Sequence, residues 1–60
     1  MGIRVQIPAY ADMWMRGDKY GVVVQVKRPK WADHKLVYYV TLDRSGNCRP
    51  YLAADCTEIA

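Results

Sequence analysis

Apolar and polar residues alternate at the start of the chain, with Ile3, Val5 and Ile7 separated by Arg4 and Gln6. This is the period of a strand buried on one face. The first strand is expected at residues 2–7 and ends at Pro8, which has no N–H for a ladder. Alternation returns from Gly21 to Arg28, where Val22, Val23, Val24 and Val26 are stiff at χ1 and suit a pleated sheet. Val22, Val24 and Val26 share a face and are the expected core set, with Val23, Gln25 and Lys27 opposite. A third strand, Leu36 to Asp43, sets Leu36, Tyr38, Val40 and Leu42 on one face and Val37, Tyr39 and Thr41 on the other. Asp43-Arg44-Ser45-Gly46-Asn47 predicts a hairpin turn with Gly46 or Asn47 at positive φ. Cys48 to Leu52 is a fourth strand that Pro50 confines to an edge. Ala53-Ala54-Asp55-Cys56 predicts a short 3₁₀ turn, and Thr57-Glu58-Ile59 a last strand able to pair with the first and close a barrel.

Two segments break the pattern. Residues 9–20 follow neither period, and Gly17 and Gly21 limit any helix there. The expectation is a long loop folded back over one end of the sheet, with Met13, Trp14 and Met15 partly buried as a lid. Arg28-Pro29-Lys30-Trp31-Ala32-Asp33-His34-Lys35 is polar, basic and interrupted by Pro29, so it is expected as a loop. The fold class is therefore all-β with five short strands, in one domain covering residues 1–60.

Size narrows the picture. A chain of 60 residues buries only about 60% of its unfolded surface, so its core must be small. There is no phenylalanine, and five tyrosines and two tryptophans supply the aromatic bulk. Their polar tips predict half-buried positions near water. A net charge of +3 is compatible with an anionic partner. Cys48 and Cys56 are too few for a disulfide scaffold; a bridge between them is geometrically conceivable, but free, half-buried thiols are expected. With His34 they form no closely spaced ligand pair, so no metal and no cofactor are expected. The N-terminal residues hold no signal peptide or membrane span, and Gln6 stands where a myristoylation motif wants Ser or Thr. A cytoplasmic setting with reduced thiols follows as the expectation.

Five short strands, a long first loop, a tight hairpin and a 3₁₀ turn before the last strand resemble the small SH3-like barrel. Gly17-Asp18-Lys19-Tyr20-Gly21-Val22-Val23-Val24-Gln25-Val26 resembles a KOW-type segment, in which a Gly-Asp turn leads to a glycine and alternating valines. Tyr51-Leu52-Ala53-Ala54-Asp55-Cys56-Thr57-Glu58-Ile59 is similar to the usual ending of such barrels. The length and the Trp14-Met15-Arg16-Gly17 lead-in also resemble small proteins of tailed bacteriophages. These resemblances imply a binding module that docks on a larger protein machine or nucleic-acid complex, in the host cytoplasm if phage-encoded. KOW-type domains imply the alternative, binding of RNA or single-stranded DNA.

Two candidate surfaces carry those functions. Lys27, Arg28, Lys30 and Lys35 surround Trp31, combining cations for phosphates with an aromatic face for a base; a solvated loop with its tryptophan packed down is the plainer alternative. Tyr10, Trp14, Tyr39 and Tyr51, with Arg16, offer the residue types that dominate protein interfaces; core completion is the plainer alternative, and it holds for Tyr38. Arg16-Gly17-Asp18 reads as turn chemistry with a solvated ion pair rather than an adhesion motif. No catalytic residue is expected: Ser45 and His34 fall in separate loops, no phosphate loop or nucleophile elbow occurs, and so small a fold leaves little concave volume for a small-molecule substrate.

Overall fold

The computed structural model describes residues 2–59; Met1 and Ala60, the ends of the expected domain, lie outside the described residues. The elements are β1 (Arg4–Gln6), α1 (Asp12–Met15), β2 (Tyr20–Lys27), the 3₁₀ turn η1 (Lys30–Ala32), β3 (Val37–Leu42), β4 (Cys48–Leu52), η2 (Ala53–Asp55) and β5 (Thr57–Glu58). All five strands join one antiparallel sheet in the order β4-β3-β2-β1-β5. The valine-rich β2 is central. The last strand pairs with the first, Val5 opposite Glu58 and Gln6 opposite Thr57. The order is open among the described residues, with β4 and β5 as its two edges. Among those residues no helix is long and apolar enough to cross a membrane.

Backbone pairing holds the first loop at its root, where the Ile7 N–H donates to the Lys19 carbonyl at 2.9 Å. Within the loop, Asp12–Met15 forms one helical turn, which Gly17 ends at φ +88°. That left-handed conformation costs glycine little and is the usual way out of a helix. Met13 is buried and Trp14 packs against the core as expected of a lid, but Met15 is 79% exposed. A helical turn projects consecutive side chains about 100° apart, so Met13 and Met15 cannot both face the sheet.

The core comprises Val5, Ile7, Ala11, Met13, Val23, Val40 and Leu42, with Trp14, Tyr38, Tyr51 and Cys56 packed at its margin. Val40 and Leu42 lie inward as the β3 pattern predicts. On β2 the inward residues are Gly21 and Val23, not the predicted set: Val22 is half-buried, Val24 is 48% exposed and Val26 38%. Two physical causes account for this. Four valines leave no alternation to choose a face. A bulge then shifts the register, since Val23 opposes Val40 while Gln25 opposes Tyr39, leaving Val24 unpaired. Val37, expected on the opposite face of β3, is buried as well, while Leu36 and Tyr38 are only half-buried; Ala32 is also buried, and both Val37 and Ala32 lie outside the main cluster. Six side chains, Ile7, Leu42, Val5, Val23, Val37 and Val40, are almost wholly removed from water, at roughly 1.5–3 kcal/mol apiece. No tyrosine or tryptophan is among them. The aromatic residues therefore remain at or near the surface.

Arg16-Gly17-Asp18 is turn chemistry, but Asp18 is not solvated. It is 3% exposed, and its carboxylate accepts the backbone N–H of Arg44 at 3.1 Å and of Ser45 at 3.0 Å. The first loop is thereby locked to the β3–β4 turn, where Gly46 takes φ +75°. Arg4 and Asp43 form an exposed salt bridge beside it.

A candidate aromatic groove

The fold gathers aromatic residues from three distant parts of the chain. Tyr10 precedes α1, Trp31 lies on η1, and Pro50 and Tyr51 lie on the edge strand β4. Together they line a groove of about 450 Å³ whose floor adds Ala11, Met13 and Leu52. Arg16, Arg49 and Asp12 complete the lining. The one salt bridge among the described residues is Arg4–Asp43, so both groove arginines lack an acidic partner there.

Trp31 is 66% exposed, so it is not packed down on the sheet. Its loop is shaped by two consecutive left-handed residues, Asp33 at φ 56° and His34 at φ 59°. Backbone bonds hold the turn, with Asp33 N–H to the Lys30 carbonyl at 2.9 Å and His34 N–H to the Pro29 carbonyl at 3.1 Å. Tyr10 is equally exposed, at 66%, yet anchored: its hydroxyl donates to the Asp55 carboxylate on η2. That bond, with smaller contributions from burial and the Asp55 charge, pushes the phenol up to about 12. Burial raises the Tyr51 phenol also, against the opposing charge of Arg49. An alkaline titration followed by tyrosinate absorbance is accordingly expected to show a tyrosine that ionises only near pH 12 and is missing from Tyr10→Phe. The same late transition in the variant would show that Tyr10 is not the residue held back.

The two expected surfaces are redistributed. Of the protein-docking set, Tyr10, Arg16 and Tyr51 meet in the groove, whereas Trp14 and Tyr39 line neither it nor its neighbour. Each of those two instead sits under a lysine: Lys19 Nζ is 5.1 Å from the Trp14 ring centroid and Lys27 Nζ is 5.8 Å from that of Tyr39. Of the basic set, Trp31 joins the aromatic groove. Arg28 and Lys35 flank a second groove of about 420 Å³, together with Leu36, Leu52, Ala54 and Asp55. Lys30 is exposed on η1. Sequence reading missed Arg49 and Pro50, although a proline beside a tyrosine on an edge strand was a visible signal.

Cys48 and Cys56 are both free, the first exposed and the second half-buried. Burial, and then the Asp55 charge, push the Cys56 thiol up to about 11, which keeps it protonated at neutral pH. The Ser45 Oγ accepts the Asn47 N–H at 3.2 Å within the hairpin turn. Among the described residues no three His, Cys, Asp or Glu side chains gather as a metal site. Compared with protein-family models, curated proteins and solved structures, the chain matches none.

Proposed function

We propose that this chain is a non-catalytic binding module, an SH3-like barrel in architecture, that docks on a larger protein machine through the Tyr10–Trp31–Tyr51 groove. The observation that carries the reading is a tryptophan and a tyrosine held exposed beside a proline and two arginines that have no acidic partner among the described residues. Aromatic and arginine side chains dominate interface energetics, and an anchored ring loses little freedom when a partner covers it. The strand order and the 3₁₀ turn before β5 support the barrel reading. The Trp14-Met15-Arg16-Gly17 lead-in suits a small phage-encoded accessory subunit working in the host cytoplasm.

Trp31→Ala is expected to lower recovery of the partner from a lysate of the native cell by about tenfold or more, the effect of losing an interface anchor. Trp14→Ala, which removes a ring already covered by Lys19 and the core, is expected to act through stability instead. Circular dichroism separates the two. Full recovery with a folded Trp31→Ala protein would remove the groove from the interface.

A second reading, binding of RNA or single-stranded DNA in the KOW manner, rests on the exposure of Lys27, Arg28, Lys30, Trp31 and Lys35 within one short stretch of chain. Its signature is affinity for oligonucleotides that falls steeply with salt.

A further inference from the structure

The two grooves adjoin one another. Leu52 lines both, and the Tyr10 hydroxyl in the first is hydrogen-bonded to Asp55 in the second. The joined track has a distinct charge order. Arg16 and Arg49 stand in the aromatic groove, Arg28 and Lys35 in the second, and the apolar surface of Tyr51 and Leu52 belongs to the ground between. Only Asp12 and Asp55 oppose these four cations, and Asp55 is occupied by Tyr10. The three arginines and the lysine make no salt bridge with the described residues, and Arg28 donates only to the His34 backbone carbonyl at 3.5 Å.

From this complementarity we infer that the partner presents an extended acidic peptide segment, with carboxylates at both ends and an apolar or aromatic centre. This rests on the docking reading above and names the partner's chemistry. Its centre packs on Tyr10, Trp31 and Tyr51, one acidic end meets Arg16 and Arg49, and the other meets Arg28 and Lys35. Extended chain rises about 3.3 Å per residue, so about nine residues span even the 29 Å longest dimension of the molecule. A peptide suits the track better than a nucleic acid does. Its backbone N–H groups can donate to Asp12, whereas a nucleic acid sets a phosphate charge against that carboxylate at every step.

The experiment follows amide and indole N–H signals of the whole chain by NMR during titration with peptides of about nine residues. All share a centre of leucine, proline and tyrosine; their ends carry paired glutamates, glutamines or lysines. The glutamate peptide is expected to shift signals in both grooves and to bind about tenfold tighter than the glutamine peptide at low salt, with the lysine peptide weaker still. Arg28→Glu with Lys35→Glu is expected to abolish that preference and to restore binding of a peptide with lysines at the corresponding end. Equal binding of all three peptides would overturn the acidic partner while leaving the docking groove standing. Shifts confined to the Tyr10–Trp31 groove would overturn the second contact. Preference for an oligothymidylate of similar length would overturn the peptide in favour of nucleic acid, and no shift from any probe would overturn both the inference and the docking reading.

Discussion

Gly21→Ala is expected to unfold a large fraction of the protein, the greatest loss from any single added methyl group. Gly21 is buried in β2, paired with Val5 on one side and Leu42 on the other. A Cβ there would stand 2.5 Å from the Thr41 carbonyl oxygen, 2.5 Å from Val40 Cγ1 and 3.1 Å from Leu42 Cα. Two of those three atoms are backbone, so relief requires parting the β2–β3 ladder at the core. Overpacking of this kind costs about 3 kcal/mol or more. A chain of this size has roughly 3–9 kcal/mol of stability to lose, at 0.05–0.15 per residue. Gly46→Ala is the control: its Cβ meets nothing within 4 Å, and only its positive φ is strained, at about 1–2 kcal/mol. Gly17→Ala should fall between, because its Cβ meets the flexible end of Arg44 at 2.6 Å. Urea unfolding followed by circular dichroism checks the order. Equal midpoints for Gly21→Ala and Gly46→Ala would mean that the close approach of β2 to β3 is not as described.

The second large effect is expected at Asp18, and it depends on pH. Burial by itself raises the pKa of this carboxyl, but hydrogen bonds from Arg44 and Ser45 outweigh burial and hold it below the ordinary 3.8. A carboxylate with a depressed folded pKa stabilises the fold above its unfolded value and loses that contribution as pH falls through the folded value. Asp18→Asn replaces one acceptor oxygen with an NH₂ group and turns a donor toward a backbone N–H that has no other partner in reach. The variant should therefore be much less stable than wild type at neutral pH, with the two curves converging as pH drops below 3.8. Thermal unfolding across an acid series measures the gap. A gap independent of pH would show that the ionised carboxylate is not what ties the first loop to the β3–β4 turn.

These two positions also show how far sequence reasoning reached. Alternation located the first and third strands, expected at residues 2–7 and Leu36–Asp43 and found at Arg4–Gln6 and Val37–Leu42, because part of one face of each was to be buried. The glycine, proline and aspartate positions located the turns, since few other residues satisfy their backbone angles. Inward orientation on β2 was not available from the pattern. Valines at 22, 23, 24 and 26 satisfy either face, and the choice falls to the contact of Gly21 with β3 and to the bulge at Val24. Asp18 gave no signal either, because its partners, the N–H groups of Arg44 and Ser45, are common to almost every residue type.

The candidate site was visible only in fragments. Tyr10, Arg16, Trp31 and Tyr51 were all recognisable as interface residues, yet they were divided between two surfaces, with Trp14 and Tyr39 added. Residue type can say that a side chain favours a boundary between apolar and wet surroundings. It cannot say which of several such side chains converge.

By itself, then, the sequence determined an all-β chain of five short strands, the identity of most turns, and a surplus of aromatic residues for so small a core. Those follow from local periodicity and from the few residues compatible with each backbone conformation. Tertiary structure alone decided that Trp31 crosses to the side of Tyr10 and Tyr51, that Lys19 and Lys27 cover Trp14 and Tyr39, and that Arg49 and Pro50 complete the groove. Contacts between residues far apart in the chain, such as Tyr10, Trp31 and Tyr51, are set by strand order and register. Those are fixed by the packing of the whole sheet, and no window of sequence contains them.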